Sequence, residues 1–474
     1  MADTENSTAA AGLRRYLPGV DAGRRISVLI GVVVLLAVIH VSYQYLVAPT
    51  YAYMLLTYTS PNLAVYTVML ALLVLIAAIL PVRLVKPSDF LLWIVYLLVV
   101  IPSLTISLLA GTLTPWLQLM LGCVVTITFT GVILAGRLPT GWLTGRVKPL
   151  PPRVFWAIIV GLSLVTYGML AASGHLKLAL PGLADVYSVR GDFDQSVGGN
   201  KILAYLMPAQ ETVFNPLFMA VGLIRRKWWL AACGIVAELL LYGAGGHKSV
   251  LFSIPAVLVV AFLYRRGRVP TGALFTWGVG AVVGLSALID SVLNTPWLTS
   301  LFTRRLIDVP GLLTGAWIKV FSDQPKAHYA YSFLAPFLPY HYDVAPPFVV
   351  ASQYFNNPTL NANANLFANG YANFGWLGIC LEAAMLALVI ALANAAAHRA
   401  PLRAAVMLLA APSVSLVNGS VFTSLLSHGV ATVILVLAFA PKSIWGSAEP
   451  ASSAPEVEAA PTASELPRRL TRHL

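Results

Sequence analysis

At 474 residues, 58% of them hydrophobic and only 10% charged, the chain lies far from soluble proteins, in which about a quarter of residues carry charge. Its formal net charge of +12 does not point to nucleic acid, because the Lys and Arg residues stand in short clusters beside apolar runs, where they orient a membrane protein. Cys123, Cys233 and Cys380 each lie inside an apolar stretch without a second ligand at metal-binding spacing, so they read as small packing or lipid-facing residues.

About 20 apolar residues, rising 1.5 Å each, cross the roughly 30 Å hydrocarbon layer. That filter predicts an all-α membrane bundle of about 12 transmembrane helices, near 26–48, 62–82, 88–110, 113–135, 154–174, 202–224, 228–246, 249–264, 270–292, 366–394, 401–418 and 424–440. The first of these follows Arg24 and Arg25, is too long for a signal sequence and lacks a small-residue cleavage site, so it reads as a retained span. Lys and Arg accumulate in cytoplasmic loops. Arg14, Arg15, Arg24 and Arg25 therefore put segment 1–25 inside. Twelve crossings of the 26–440 bundle then bring Arg83/Lys86, Arg137/Arg146/Lys148/Arg153, Arg225/Arg226/Lys227, Arg265/Arg266/Arg268 and His398/Arg399/Arg403 to the same side. Both termini are thus expected in the cytoplasm, with 441–474, rich in Ala, Pro, Ser and Glu, as a disordered tail. Two loops, 174–201 and 293–365, are expected outside. The second is about 70 residues long, and a loop of that length should fold over the bundle and carry function.

Charge is scarce, so each outer charge is informative. Loop 174–201 carries Val186-Tyr-Ser-Val-Arg190-Gly-Asp192-Phe-Asp194, and the sixth predicted span carries Glu211 and Asn215-Pro216. An ionisable group at that depth costs a few kcal/mol and usually faces a polar cavity or a partner. Between the seventh and eighth spans stands Gly243-Ala-Gly245-Gly246-His247-Lys248-Ser249, whose small residues admit a close backbone approach to a ligand. Arg190, Lys248, Arg304 and Arg305 are candidates to converge on a pyrophosphate. Snorkelling to lipid headgroups, or neutralisation of Asp192, Asp194, Glu211 and Asp308, is the competing role. In 293–365, His328, His341 and Asp323 are candidate bases, since imidazoles and carboxylates take protons near neutral pH. Further on, Asn363, Asn365, Tyr371, Asn373 and Trp376 form an amide- and aromatic-rich stretch suited either to a glycan groove or to helix capping and an interfacial aromatic belt. Asp192-Phe-Asp194 has the spacing of a metal-binding pair, but such pairs arise often by chance, and no metal or cofactor is expected. Phosphate-binding Gly-rich loops, zinc-protease helices and serine elbows are missing from the sequence, which argues against an ATP-driven pump.

Taken in order, Lys86-Pro-Ser-Asp89, Tyr187-Ser-Val-Arg190, Asn215-Pro216, Gly246-His247-Lys248-Ser249, Asp308-Val-Pro310-Gly311 and the stretch 363–378 resemble the bacterial O-antigen polymerase (Wzy-type) and oligosaccharide repeat unit polymerase family. Each motif is short; the specificity lies in the series, which spans about two-thirds of the chain. The resemblance implies a metal-independent glycosyltransferase of the bacterial inner membrane with an extracytoplasmic active site. Its donor and acceptor would both be polyprenyl-pyrophosphate-linked oligosaccharides, with membrane lipids and a chain-length regulator as further partners and no nucleotide sugar. In that reading Arg190, Lys248, Arg304 and Arg305 hold the pyrophosphate, and His328 acts as base with Glu211 as the alternative. A glycan ligase would use similar outer-face chemistry. A lipid-linked sugar transporter or flippase would be expected to show repeated halves and midplane polar sites, whereas here the charges collect at the outer ends.

Overall fold

The computed structural model describes residues 22–176, 191, 193, 199–332 and 334–446. Arg190, Asp192, Asp194, segment 1–21 and tail residues 447–474 lie outside the described residues, as do the side chains of Lys201, Lys248 and Ser249. Among the described residues the regular elements are helical, and the one β-type pairing is an isolated bridge between Arg83 and Thr271.

In chain order the bundle contains α1 (Ala22–Met54), α2 (Leu63–Ile79), α3 (Pro87–Leu109), α4 (Pro115–Arg137) and α5 (Pro152–Ala172). The next helix, α6, runs through Lys201–Ala209, a π-helical turn at Gln210–Phe214, and Asn215–Ile224. After it come α7 (Trp228–Gly245), α8 (Lys248–Leu263) and α9 (Gly272–Leu293). The helix α10 comprises Trp297–Thr299, the π-helical Ser300–Asp308 and Val309–Asp323. Then follow α11 (Pro346–Phe355), α12 (Leu366–Ala396), α13 (Leu402–Ser415), α14 (Val421–Ser427) and α15 (Val430–Phe439). Helices start where the sequence supplies caps. Asn62 accepts from the amides of Ala64 and Val65 to open α2, and Thr114 with Pro115 opens α4.

Seven helices among the described residues are long and apolar enough to cross a membrane, and the pair α14 and α15, bent by 58°, makes an eighth if taken as one span. The chain is a membrane protein built as a polytopic helical bundle. Each of the twelve predicted apolar runs coincides with a helix, yet length and apolarity qualify seven or eight. Three others are cut short: Leu63–Ile79, Val250–Leu263 and Leu402–Ser415 are apolar helices of 10–17 residues. The helix α6 runs unbroken over 201–224, but Gln210, Glu211 and Asn215 lower its apolarity, and a left-handed Gly429 separates α14 from α15.

The basic clusters gather at one end. Leu84 donates its amide to Pro270 (3.0 Å), Gly272 to Val82 (2.8 Å) and Leu150 to Phe439 (3.0 Å). Arg25 donates to the carbonyl of Ala78, Arg137 to that of Ile79, Lys86 to Gly136 (3.2 Å) and Arg399 to Val147 (3.0 Å) and Ala438 (3.3 Å). Most of these carbonyls close helices α2, α4 and α15, where cations complement the negative end of the helix dipole.

At the other end, about half of the predicted long loop is helix, in 297–323 and Pro346–Phe355. The stretch Val309–Asp323 of α10 lies parallel to the second half of α3, since Gly311 abuts Pro102 and Ile106 while Gly315 abuts Ser107 and Thr112. A Cβ on Gly311 would come within 2.4 Å of the Pro102 carbonyl oxygen, so only glycine permits this spacing. Close packing through small residues is the main attraction available to helices in lipid. Trp317 is fully buried and donates to the carbonyl of Ala362 (2.8 Å), tying α10 to the segment before α12.

Candidate functional site

The end of the bundle remote from the basic loops carries a turn, 326–332, laid on the first two turns of α12. Ala327 donates its amide to Ala372 (2.9 Å), His328 to the carbonyl of Asn373 (3.3 Å) and Tyr329 to the Asn373 side-chain oxygen (2.6 Å). His328 and Tyr329 both have left-handed backbones, φ 52° and 53°. Two bulky residues in a row in that region hold backbone strain that the surrounding contacts must maintain. The main anchor is Glu382, fully buried on α12. It accepts from the hydroxyls of Tyr329 and Ser420 and from the amide of Val421 (2.7 Å). The carboxylate thus pins both the turn and the start of α14.

Around this anchor the aromatic side chains form a wall. The His328 ring lies 5.2 Å from Phe374, Tyr329 lies 5.3 Å from Phe422 on α14, and Tyr331, Tyr340 and Tyr342 follow one another at 5.8 and 5.5 Å. At Phe374–Gly375 α12 leaves helical geometry, with Gly375 at φ 60°, and the break turns Trp376 onto Tyr371 at 4.7 Å. Lys326 sits 4.3 Å over the Tyr371 ring and donates to the Phe321 carbonyl. Burial holds the Lys326 ammonium below the usual lysine range, against the opposing pull of Asp323. Burial likewise pushes the Tyr331 phenol up to about 12, so it stays a hydrogen-bond donor.

A second cluster of rings lies at the start of α8. Phe193 stands edge-on to His247 at 6.3 Å and to His175 at 5.6 Å. His247 directly precedes the first residue of α8, Lys248, after a left-handed Gly246. Phe193, three residues beyond Arg190 in sequence, is therefore seated beside His247. Glu211 occupies the π-turn of α6, partly exposed, and its neighbour Thr212 packs on Gly429 between α14 and α15. The short helix α14 accordingly runs between the His328 turn and the Glu211 turn.

Other predicted site residues are placed elsewhere. Arg304 stacks 4.8 Å over Tyr51 and donates to Ser300 (3.1 and 2.8 Å) and to the Met54 sulfur (3.5 Å), on the flank formed by α1. Arg305 is exposed. Neither has a described contact with the His247 or His328 groups. Asn365 is fully buried: it caps α12 through Phe367 and Ala368 and donates to Ser103 (3.0 Å) and Thr314 (2.7 Å), which leaves it no free face for a sugar. Asn373 is likewise internal, holding the 326–332 turn. Asn363 and His341 are exposed, and Trp376 and Tyr371 border the wall described above. Asp323 lines a separate hollow of about 410 Å³ with Leu55, Lys319, Gln353 and Tyr354. Sequence reasoning missed Glu382, Tyr329 and Lys326. A lone carboxylate in the middle of the apolar 366–396 run was the available signal.

Among the described residues no three His, Cys, Asp or Glu side chains gather as a metal site. Compared with protein families, curated proteins and solved structures, the chain matches none.

Proposed function

We propose that the protein is a glycan polymerase that joins polyprenyl-pyrophosphate-linked oligosaccharide repeat units at the outer face of a bacterial inner membrane. In this reading the five shorter, bent or less apolar helices cross as well, giving twelve spans, with both termini and the basic end in the cytoplasm. The observation that carries the reading is the seating of Phe193 against His247. It supports bringing the Tyr187-Ser-Val-Arg190 segment and the Lys248 turn to one place.

The reaction follows from the residues. A hydroxyl of the acceptor repeat unit attacks the anomeric carbon of the donor chain; the bond from that carbon to the pyrophosphate oxygen breaks, and polyprenyl pyrophosphate leaves. Arg190 and Lys248 stabilise the charge that develops on the departing pyrophosphate, a contribution larger in a water-poor site than in bulk. The hydroxyl proton passes to His328, with Glu211 as the alternative acceptor. The partly exposed rings of Tyr331, Tyr340 and Trp376 present aromatic faces to sugar rings. Arg304 drops out of the pyrophosphate set, because it is held on the α1 flank.

The test is direct. Purified protein is mixed with lipid-linked repeat unit and no energy source, and the products are sized. A ladder of lengthening glycans supports polymerase; transfer of a finished polymer onto another lipid acceptor would mean a ligase, and movement of intact lipid across the bilayer without bond formation a transporter.

A further inference from the structure

Beneath the His247–Lys248 turn, α5, α6, α7 and α8 enclose a polar network in an apolar bundle. Tyr167 donates to the Ala237 carbonyl (2.9 Å) and accepts from the Asn215 amide (3.0 Å). Gln210 donates its own amide to the Asn215 side-chain oxygen, and Ser253 donates to Glu238 Oε1 (2.9 Å). Gln210, Asn215 and Glu238 are each 0% exposed. Among the described residues, two acceptor oxygens of this network have no donor: Gln210 Oε1 and Glu238 Oε2. The Ser253 hydroxyl is the hydrogen-bond partner of the Glu238 carboxyl group, and no Lys, Arg or His among the described residues pairs with it. A buried carboxylate without a compensating charge is costly, and in membrane proteins such a group marks a binding site. The turn carrying Gln210 is π-helical, a distortion that recurs at functional positions.

We infer that Glu238 Oε2 and Gln210 Oε1 bind a small monovalent cation of the sodium class, with Asn215, Tyr167 and Ser253 holding the two ligands in place. Hard oxygen ligands with a single buried carboxylate match one positive charge. The ion cross-links the four helices that support the Lys248 turn. This inference does not rest on polymer formation and is read without any glycan.

The experiment is thermal unfolding of the full-length protein in lipid nanodiscs, titrating NaCl against choline chloride at constant ionic strength. The expected result is a saturable rise of the midpoint, on the order of 2–4 °C or more at high occupancy. Glu238→Gln should lose the sodium-dependent rise. Identical midpoints in the two salts, a full rise in Glu238→Gln, or a midpoint that follows pH and ignores sodium would each overturn it. If Glu238→Gln does not fold, Gln210→Leu takes its place, and the wild-type titration decides alone in any case.

Discussion

The two ends of the bundle use cations in opposite ways. At the basic end Arg25, Lys86, Arg137 and Arg399 reach across to backbone carbonyls, most of them at helix C-termini, so their charge is absorbed by the fold. At the far end Lys326 lies on an aromatic ring, the backbone of His328 and Tyr329 is left-handed, and a buried Glu382 holds the turn in that shape. One end is built to keep helices oriented. The other stores strain and presents aromatic and hydrogen-bonding surface, the pattern the proposed ligand site requires.

That contrast can be broken by mutation. The largest effect is expected from Arg190→Ala and Lys248→Ala, each lowering polymer synthesis by about 10²–10³-fold with insertion unchanged, the range seen when one charge-stabilising donor is lost. Arg399→Ala, at the basic end, should leave the rate per folded molecule unaltered. Equal losses at both ends, scored by glycan ladder against protein in the membrane, would erase the distinction. Next comes Glu382→Ala, which strands the Tyr329 and Ser420 hydroxyls and the Val421 amide. It should cost about 1–3 kcal/mol of stability for each charged hydrogen bond lost, read as a lowered unfolding midpoint. Gly311→Val should cost about 1–3 kcal/mol by forcing α10 off α3, and a wild-type midpoint would show that the contact yields freely.

The smallest effect concerns pH at Lys326. Its folded pKa lies below the ordinary lysine value, so between the two the unfolded chain binds more protons and stability rises with pH. The advantage of Lys326→Met over wild type should therefore narrow as pH climbs toward the normal lysine range. A gap that widens would contradict the burial of this amine.

Much of the helical layout was legible in sequence because lipid imposes it: a spanning segment must be long, apolar and internally hydrogen-bonded, and those demands appear in the order of residues. The clustering of basic loops was legible for the same reason. What the apolar runs do not report is where proline or a polar turn ends a helix, hence the shortfall in spans that meet the length test. The amide-rich stretch illustrates a second limit. Asn363, Asn365 and Asn373 look equivalent in sequence, yet Asn363 is exposed while Asn365 caps α12 and bonds Ser103, 262 positions away. Arg304 meets Met54 across 250 positions, which no local pattern encodes. Glu382 was visible as an isolated charge, but its three donors come from two distant segments, the 326–332 turn and Ser420–Val421.

The most direct test of the account is sided delivery of substrate. Protein is reconstituted in one orientation in sealed vesicles, and lipid-linked repeat unit is supplied only to the leaflet at one end of the bundle. The account predicts a glycan ladder when the substrate enters at the end holding His247 and His328, and none when it enters at the end holding Arg399. Polymer made from the Arg399 side would contradict it.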